Sequence, residues 1–293
     1  MPGLGPWVAG ARPRTLPAAV APVLVGTGAA AAVGSAVLPR ALLALVVALA
    51  LQVGVNYAND YSDGVRGTDD NRVGPLRLVG SGIVSPGAVR AAAWACFAVA
   101  GVAGLALVLL TKQWWLLGVG AAAVVAAWFY TGGNRPYGYR GLGEASVFVF
   151  FGLVAVVGTT YVQVGRVTPS SVVSGIAVGC LASAILVANN LRDMPSDARS
   201  GKRTLAVILG SRRTRLLYLA LLATAYALAI ALAVAGRAWA GLVLLSVPLA
   251  ARSAAPVALR ASGVRLVPVL IGTTLTELAY GALLALGLAI SGA

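Results

Sequence analysis

The chain has 293 residues, 59% hydrophobic and only 10% charged, with a net charge of +14 and no histidine. Soluble domains carry about 25% charged residues, so this composition excludes a soluble enzyme and predicts an all-α, polytopic membrane protein. Without histidine, ligand chemistry falls to oxygen donors or to the two cysteines.

A bilayer core of about 30 Å takes roughly 20 apolar residues as a helix, because a spanning segment must satisfy its own backbone hydrogen bonds. That ruler predicts nine spans. The first, 16–37, follows Arg12 and Arg14 and resembles a secretory signal in outline, but eight further spans favour an uncleaved helix. The second, 41–58, ends in a polar run holding Asn56, Asn59, Asp60 and Asp63. A long polar segment, 59–87, carries Arg66, Arg72 and Arg77 before spans 88–110 and 114–131. Trp114 and Trp115 read as interfacial anchors. Segment 132–144 leads to spans 145–165 and 170–190, the latter closing on Asn189, Asn190, Asp193 and Asp197. Cys96 and Cys180 fall inside spans, as apolar fillers rather than a disulfide pair. Segment 191–214 holds Lys202 and Arg203, and spans 215–235, 239–257 and 267–290 complete the chain, with Glu277 its only mid-span acid.

The net charge invites a nucleic-acid reading, but the placement of the cations argues for none. Eighteen of the 22 cations fall on the side of the N-terminus, and only Arg40, Lys112, Arg166 and Arg237 lie opposite. This positive-inside ladder predicts a cell-membrane protein with a cytoplasmic N-terminus and an external C-terminus. It also places all the long polar segments on the cytoplasmic side.

All six aspartates lie in 56–71 and 189–197, with five of the six asparagines. Asn56, Asn59, Asp60 and Asp63 are spaced i, i+3, i+4, i+7, one face of a helix; Asn190, Asp193 and Asp197 repeat the pattern, with Pro195 expected to loosen the helix by Asp197. Helix capping explains one or two such residues per end, not two matched faces. A carboxylate at membrane depth costs about 3 kcal/mol, so these groups must line a polar cavity and share cations. Oxygen ligands suit a hard ion, Mg2+ first and Mn2+ or Ca2+ next, and Mg2+ typically shares its shell with phosphate. Arg66, Arg72, Arg77, Lys202 and Arg203 flank the two stretches and suit a polyphosphate. Gly201-Lys202 lacks the earlier glycine of a Walker loop, and 60–71 lacks the final acid of an EF-hand. Asp69 and Asp70 fit either ligation or loop solvation.

Asn59-Asp-Tyr-Ser-Asp63 with Asp69, and Asp193-Met-Pro-Ser-Asp197, resemble the two aspartate-rich motifs of the UbiA superfamily of intramembrane aromatic prenyltransferases. Arg12-Pro-Arg-Thr-Leu-Pro17, Gly74-Pro-Leu-Arg77, Tyr139-Arg-Gly-Leu-Gly143 and Gly201-Lys-Arg-Thr204 resemble its 1,4-dihydroxy-2-naphthoate polyprenyltransferase branch (MenA), a membrane step of menaquinone synthesis. Asn134-Arg135-Pro136 departs from that pattern. The resemblance implies a single transmembrane prenyltransferase domain over 1–293, with nine helices around a central cavity. It implies two Mg2+ ions, Mn2+ being a substitute, held by Asp60, Asp63, Asp193 and Asp197 with Asn56, Asn59, Asn189, Asn190 and Asp69. The ions would grip a polyprenyl diphosphate, helped by Arg66, Arg72, Arg77, Lys202 and Arg203, while the acceptor 1,4-dihydroxy-2-naphthoate attacks the allylic cation with loss of carbon dioxide. Tyr57, Tyr61, Tyr130 and Tyr139 are candidates to shield that cation, and Arg14, Arg140 and Glu144 to position the acceptor.

Two other classes compete. A secondary transporter would place acids near mid-span, where only Glu277 stands. A CDP-alcohol phosphotransferase would need a spacing that Asp63-Gly64-Val65-Arg66 lacks. Within the resembled superfamily, the alternative acceptors are 4-hydroxybenzoate, homogentisate or a tetrapyrrole.

Overall fold

A computed structural model describes residues 3–67 and 76–292. Among these residues every element is helical. In chain order they are α1 (Leu4–Ala11), α2 (Pro17–Ala31), α3 (Leu38–Val65), α4 (Pro86–Thr111), α5 (Leu116–Phe129), α6 (Gly143–Val164), α7 (Pro169–Arg199), α8 (Leu205–Val234), α9 (Ala238–Ala258) and α10 (Gly263–Ile290). Seven of them, α3, α4 and α6 to α10, are long and apolar enough to cross a membrane, which makes this a multi-pass membrane protein. The first and fourth predicted spans correspond to shorter apolar helices, α2 and α5, of 15 and 14 residues.

Helix ends follow local chemistry. Thr168 caps α7 in a capping box with Ser171, and Pro169 supplies a pre-set first-turn φ. Ser85 caps α4 by accepting from the Ala88 amide, and Pro86 stands in its first turn. Two boundaries matter for the site, and the second differs from expectation. α3 has 28 residues, so the first acidic stretch continues the apolar helix without a break. α7 stays helical through Pro195 to Arg199, where loosening was expected. The Ser196 hydroxyl donates to the Asp193 carbonyl at 2.7 Å, an added bond within this last stretch of the helix.

α7 is the central helix and packs against α2, α6, α8 and α10. Small residues let backbones meet, the packing device of apolar bundles that lack a hydrophobic driving force between helices. A Cβ on Gly152 of α6 would stand 2.5 Å from the Gly179 Cα of α7, and one on Gly28 of α2 equally close to Ala285 of α10. Around the Gly152 contact α6 widens into a π-helical segment, Phe148–Val154, an irregularity often found at functional sites. A second apolar cluster joins α3 to α4 through Tyr57, Leu78, Val89 and Phe97. Between these two bodies lies a cavity of about 1330 Å³.

Candidate active site

One end of the cavity is polar, and both acidic stretches reach it. From α3 it is lined by Asn56, Asn59 and Asp63, and from α7 by Asn189, Asn190, Arg192 and Asp197. The short connection after α7 turns at Gly201, whose φ of +74° suits glycine, and the Lys202 amide bonds the Asp197 carbonyl at 2.9 Å. This turn carries Lys202 to the other stretch, where its Nζ lies 3.3 Å from Asp63 Oδ1 and 4.5 Å from the centre of the Tyr139 ring. The Tyr139 hydroxyl donates to Asp63, and Arg77 Nη2 approaches the same carboxylate at 3.9 Å. Asp197 accepts a hydrogen bond from Thr204 Oγ1 at 3.4 Å. Asp63, Asp197 and Lys202 are all buried, so the Asp63–Lys202 contact is little screened by solvent.

The remaining polar groups of the two stretches hold the scaffold around this centre. Asp60 accepts hydrogen bonds from the Leu78 and Val79 amides at 2.9 and 3.0 Å, fastening the segment that brings in Arg77. Asp193 receives Arg192 in a two-pronged pair at 2.6 and 2.7 Å, and Arg192 also donates to Asn189 Oδ1. Neither Asp60 nor Asp193 is part of the cavity wall. Asn56 donates to the Ala11 carbonyl and to Thr15 Oγ1, which also accepts from Gln52. These bonds buckle 11–15 onto α3 and set Arg12 and Arg14 on the wall. Asn59 accepts from Thr131, and Asn190 donates to Glu144 Oε1 at 2.9 Å. Arg66 donates to the Thr131 and Gly133 carbonyls, tying 131–133 to the end of α3. In the same loop, burial pushes the Tyr137 phenol above its ordinary pKa, so it stays a donor to the Ala126 carbonyl.

Beyond this end the walls turn apolar. They run past Leu51, Val47 and Ala44 of α3, Leu107 of α4, Phe150 and Phe151 of the π segment, and Val162 of α6. A molecule suited to the whole cavity has a polyanionic head and a long hydrocarbon tail.

The donor set at the polar end is all oxygen, with neither cysteine beside it. Among the described residues no three acidic side chains gather closely enough to hold an ion by themselves. That pattern fits Mg2+, which takes one or two carboxylates and completes its shell with substrate phosphate and water. A model of the UbiA prenyltransferase family matches residues 19–260. The chain belongs to the UbiA prenyltransferase family.

Among its relatives in that family, the 1,4-dihydroxy-2-naphthoate octaprenyltransferase of Mycobacterium tuberculosis is 54% identical over 293 residues, covering 100% of this chain and 98% of the relative. The enzyme of that name from Escherichia coli is 42% identical over 71% of this chain and 70% of its own. The UbiA fold is also seen in solved structures. A UbiA homolog from Aeropyrum pernix superposes with a TM-score of 0.71 at 19% identity, covering 93% of this chain and 97% of that one. One from Archaeoglobus fulgidus, bound to GPP and Mg2+, gives 0.66 at 16%, covering 96% and 99%.

Within this UbiA chain several expected site residues stand elsewhere. Tyr57 donates to the Trp7 carbonyl and packs in the α3–α4 cluster, and Tyr61 stacks on Trp128. Neither lines the cavity, whereas Tyr130 and Tyr139 do. Arg203 engages through its backbone, the amide bonding the Tyr139 carbonyl, and its side chain is exposed, as is that of Arg140. Asp69 and Arg72 lie outside the described residues. Sequence reasoning missed Gln52, Thr15, Thr131 and Thr204, neutral partners that carry no charge signal. Gln52, one turn before Asn56 on the same face, was the one legible hint.

Proposed function

We infer that this protein transfers a polyprenyl group from polyprenyl diphosphate to 1,4-dihydroxy-2-naphthoate with loss of carbon dioxide, giving demethylmenaquinol for menaquinone synthesis. The observation that carries this reading is the charged centre of Asp63, Asp197 and Lys202 at the head of a long apolar cavity, in a chain that matches a named naphthoate octaprenyltransferase end to end.

Mg2+, two ions by family analogy and replaceable by Mn2+, would be held by Asp63 and Asp197, and when bound it supplies Lewis-acid charge to the departing diphosphate. Lys202 and Arg77 add fixed positive charge where the allylic C–O bond breaks and negative charge collects on the diphosphate. Asp60 acts one step back by holding the segment of Arg77, and Asp193 by holding Arg192. Tyr139 touches both members of the Lys202–Asp63 pair, donating to the carboxylate and presenting its ring to the ammonium. The apolar walls hold the isoprenoid tail and keep water from the allylic cation. Tyr130 presents its ring there, and Arg14, beside Arg12, offers a cation for the acceptor's carboxylate. Charge stabilisation and positioning suffice for this chemistry, and no protein nucleophile is required.

We also propose nine crossings over a single domain, with α2 and α5 completing the seven longer helices, and the polar end facing the cytoplasm. The supporting observation is the ladder of 18 of 22 cations on one side. A C-terminal reporter active only outside the cytoplasm tests it, and a cytoplasmic signal would overturn it.

The direct test of function is purified protein supplied with a polyprenyl diphosphate, Mg2+ and either 1,4-dihydroxy-2-naphthoate or 4-hydroxybenzoate, with product read by mass spectrometry. Prenylated naphthoquinol is expected from the first acceptor alone. Turnover of the benzoate in its place would overturn the acceptor assignment.

A further inference from the structure

Glu144 stands in the first turn of α6, 7% exposed, with Oε1 accepting a 2.9 Å hydrogen bond from Asn190 Nδ2. With its nitrogen turned to Glu144, the Asn190 amide has its Oδ1 left for the other side. Asn190 lines the cavity. The bond is braced from below, since Ser183 Oγ donates to the Glu144 carbonyl at 3.2 Å. Glu144 Oε2 is buried and has no hydrogen-bond partner among the described residues, an arrangement that costs free energy and calls for a compensating role.

The neighbouring asparagines are held in the opposite sense. Asn59 Oδ1 accepts from Thr131 at 2.8 Å and Asn189 Oδ1 from Arg192 at 2.8 Å, which leaves their N–H groups available. Amide hydrogens suit phosphate oxygens, whereas an exposed amide oxygen suits a hydroxyl donor. Tyr130 shares the wall with Asn190, and its hydroxyl passes 3.1 Å from where a Cβ on Gly143 would stand. Three asparagines beside the same acids thus serve two kinds of ligand.

We propose that Glu144 is a positioning residue: it orients Asn190 so that the amide oxygen accepts a hydrogen bond from a ring hydroxyl of the aromatic acceptor. The inference rests on the proposed function for the identity of that acceptor. It makes Asn190 a specificity element for hydroxylated rings, separate from the groups that hold diphosphate.

The test compares wild type, Glu144→Ala, Glu144→Gln, Asn190→Ala and the Glu144→Ala/Asn190→Ala double variant, each checked for a monodisperse detergent-solubilised peak. KM is measured for both substrates, with the Mg2+ half-saturation point. Loss of a hydrogen bond worth about 1.4 kcal/mol corresponds to roughly tenfold, so Glu144→Ala is expected to raise the KM for 1,4-dihydroxy-2-naphthoate about tenfold. The diphosphate KM and Mg2+ point should stay within about twofold of wild type. Glu144→Gln should recover most of the lost affinity, because its amide oxygen can still accept from Asn190, and the double variant should be no worse than Asn190→Ala. A shift in the diphosphate KM or Mg2+ point, a Gln variant as impaired as Ala, or multiplied losses in the double variant would each overturn the inference. If Glu144→Ala is not monodisperse, Glu144→Gln and Asn190→Ala decide alone, by the same acceptor-specific split. Absence of wild-type turnover with this acceptor would instead overturn the proposed function.

Discussion

The two acidic stretches share a spacing but not a manner of support. On α3, Asp63 faces the cavity while Asp60 reaches away to the amides of Leu78 and Val79, 18 and 19 residues further on. On α7, Asp197 faces the cavity while Asp193 turns to Arg192, its immediate neighbour. Each stretch thus places one carboxylate in the cavity wall and one in contacts outside it. The first scaffold is long-range and recruits a loop with its arginine; the second is local and stiffens the helix that bears it. Matching sequence motifs need not mean matching jobs for each acid.

Several measurements would break or sharpen that division. The largest expected effect is chelation: EDTA should abolish turnover, with Mg2+ restoring it and Mn2+ restoring it in part, whereas undiminished activity in EDTA would remove the metal from the scheme. Next come the two central acids. Asp63→Asn and Asp197→Asn should each lower kcat about 100- to 1000-fold, the scale of removing one group aimed at developing charge. The scaffold acids should act differently: Asp60→Asn leaves a buried amide without its acceptor, at about 1–3 kcal/mol, seen as a lower Tm and a raised diphosphate KM with a smaller loss of kcat. Equal kcat losses at Asp60 and Asp63 would erase the distinction. Lys202→Met should raise the diphosphate KM roughly 10- to 100-fold by removing a buried charge-assisted contact. At the small end, Arg203→Ala should change either KM by less than about twofold, since it meets the site through its backbone alone.

Much of this was legible in the chain. Apolar run length located the long apolar helices, and helical spacing grouped Asn56, Asn59, Asp60 and Asp63 on one face and Asn190, Asp193 and Asp197 on another. What spacing cannot supply is what each face meets. Asp60 sits at the edge of its stripe, where a neighbouring loop captures it, and nothing in the residues 56–63 encodes that loop's approach. Tyr57 and Tyr61 read as cation shields because they stand among the acids, yet a residue one position off the stripe turns into the α3–α4 contact. The proline in the second motif misled for a related reason: its cost is local, and the continuous helix around it depends on burial of α7 against four neighbours.

The cavity's extent along α3 bears on how a lipid product would depart. Its wall on that helix runs from Ala44 to Asp63, about 28 Å at 1.5 Å per residue, close to the thickness of a bilayer's hydrocarbon layer. A molecule lying along it with its head at Asp63 would keep its tail parallel to a helix long enough to cross that layer. Leaving then requires only sideways exchange into the surrounding acyl chains. No polar head has to be drawn through oil, and the path from reaction to storage in the membrane is free of any reorientation.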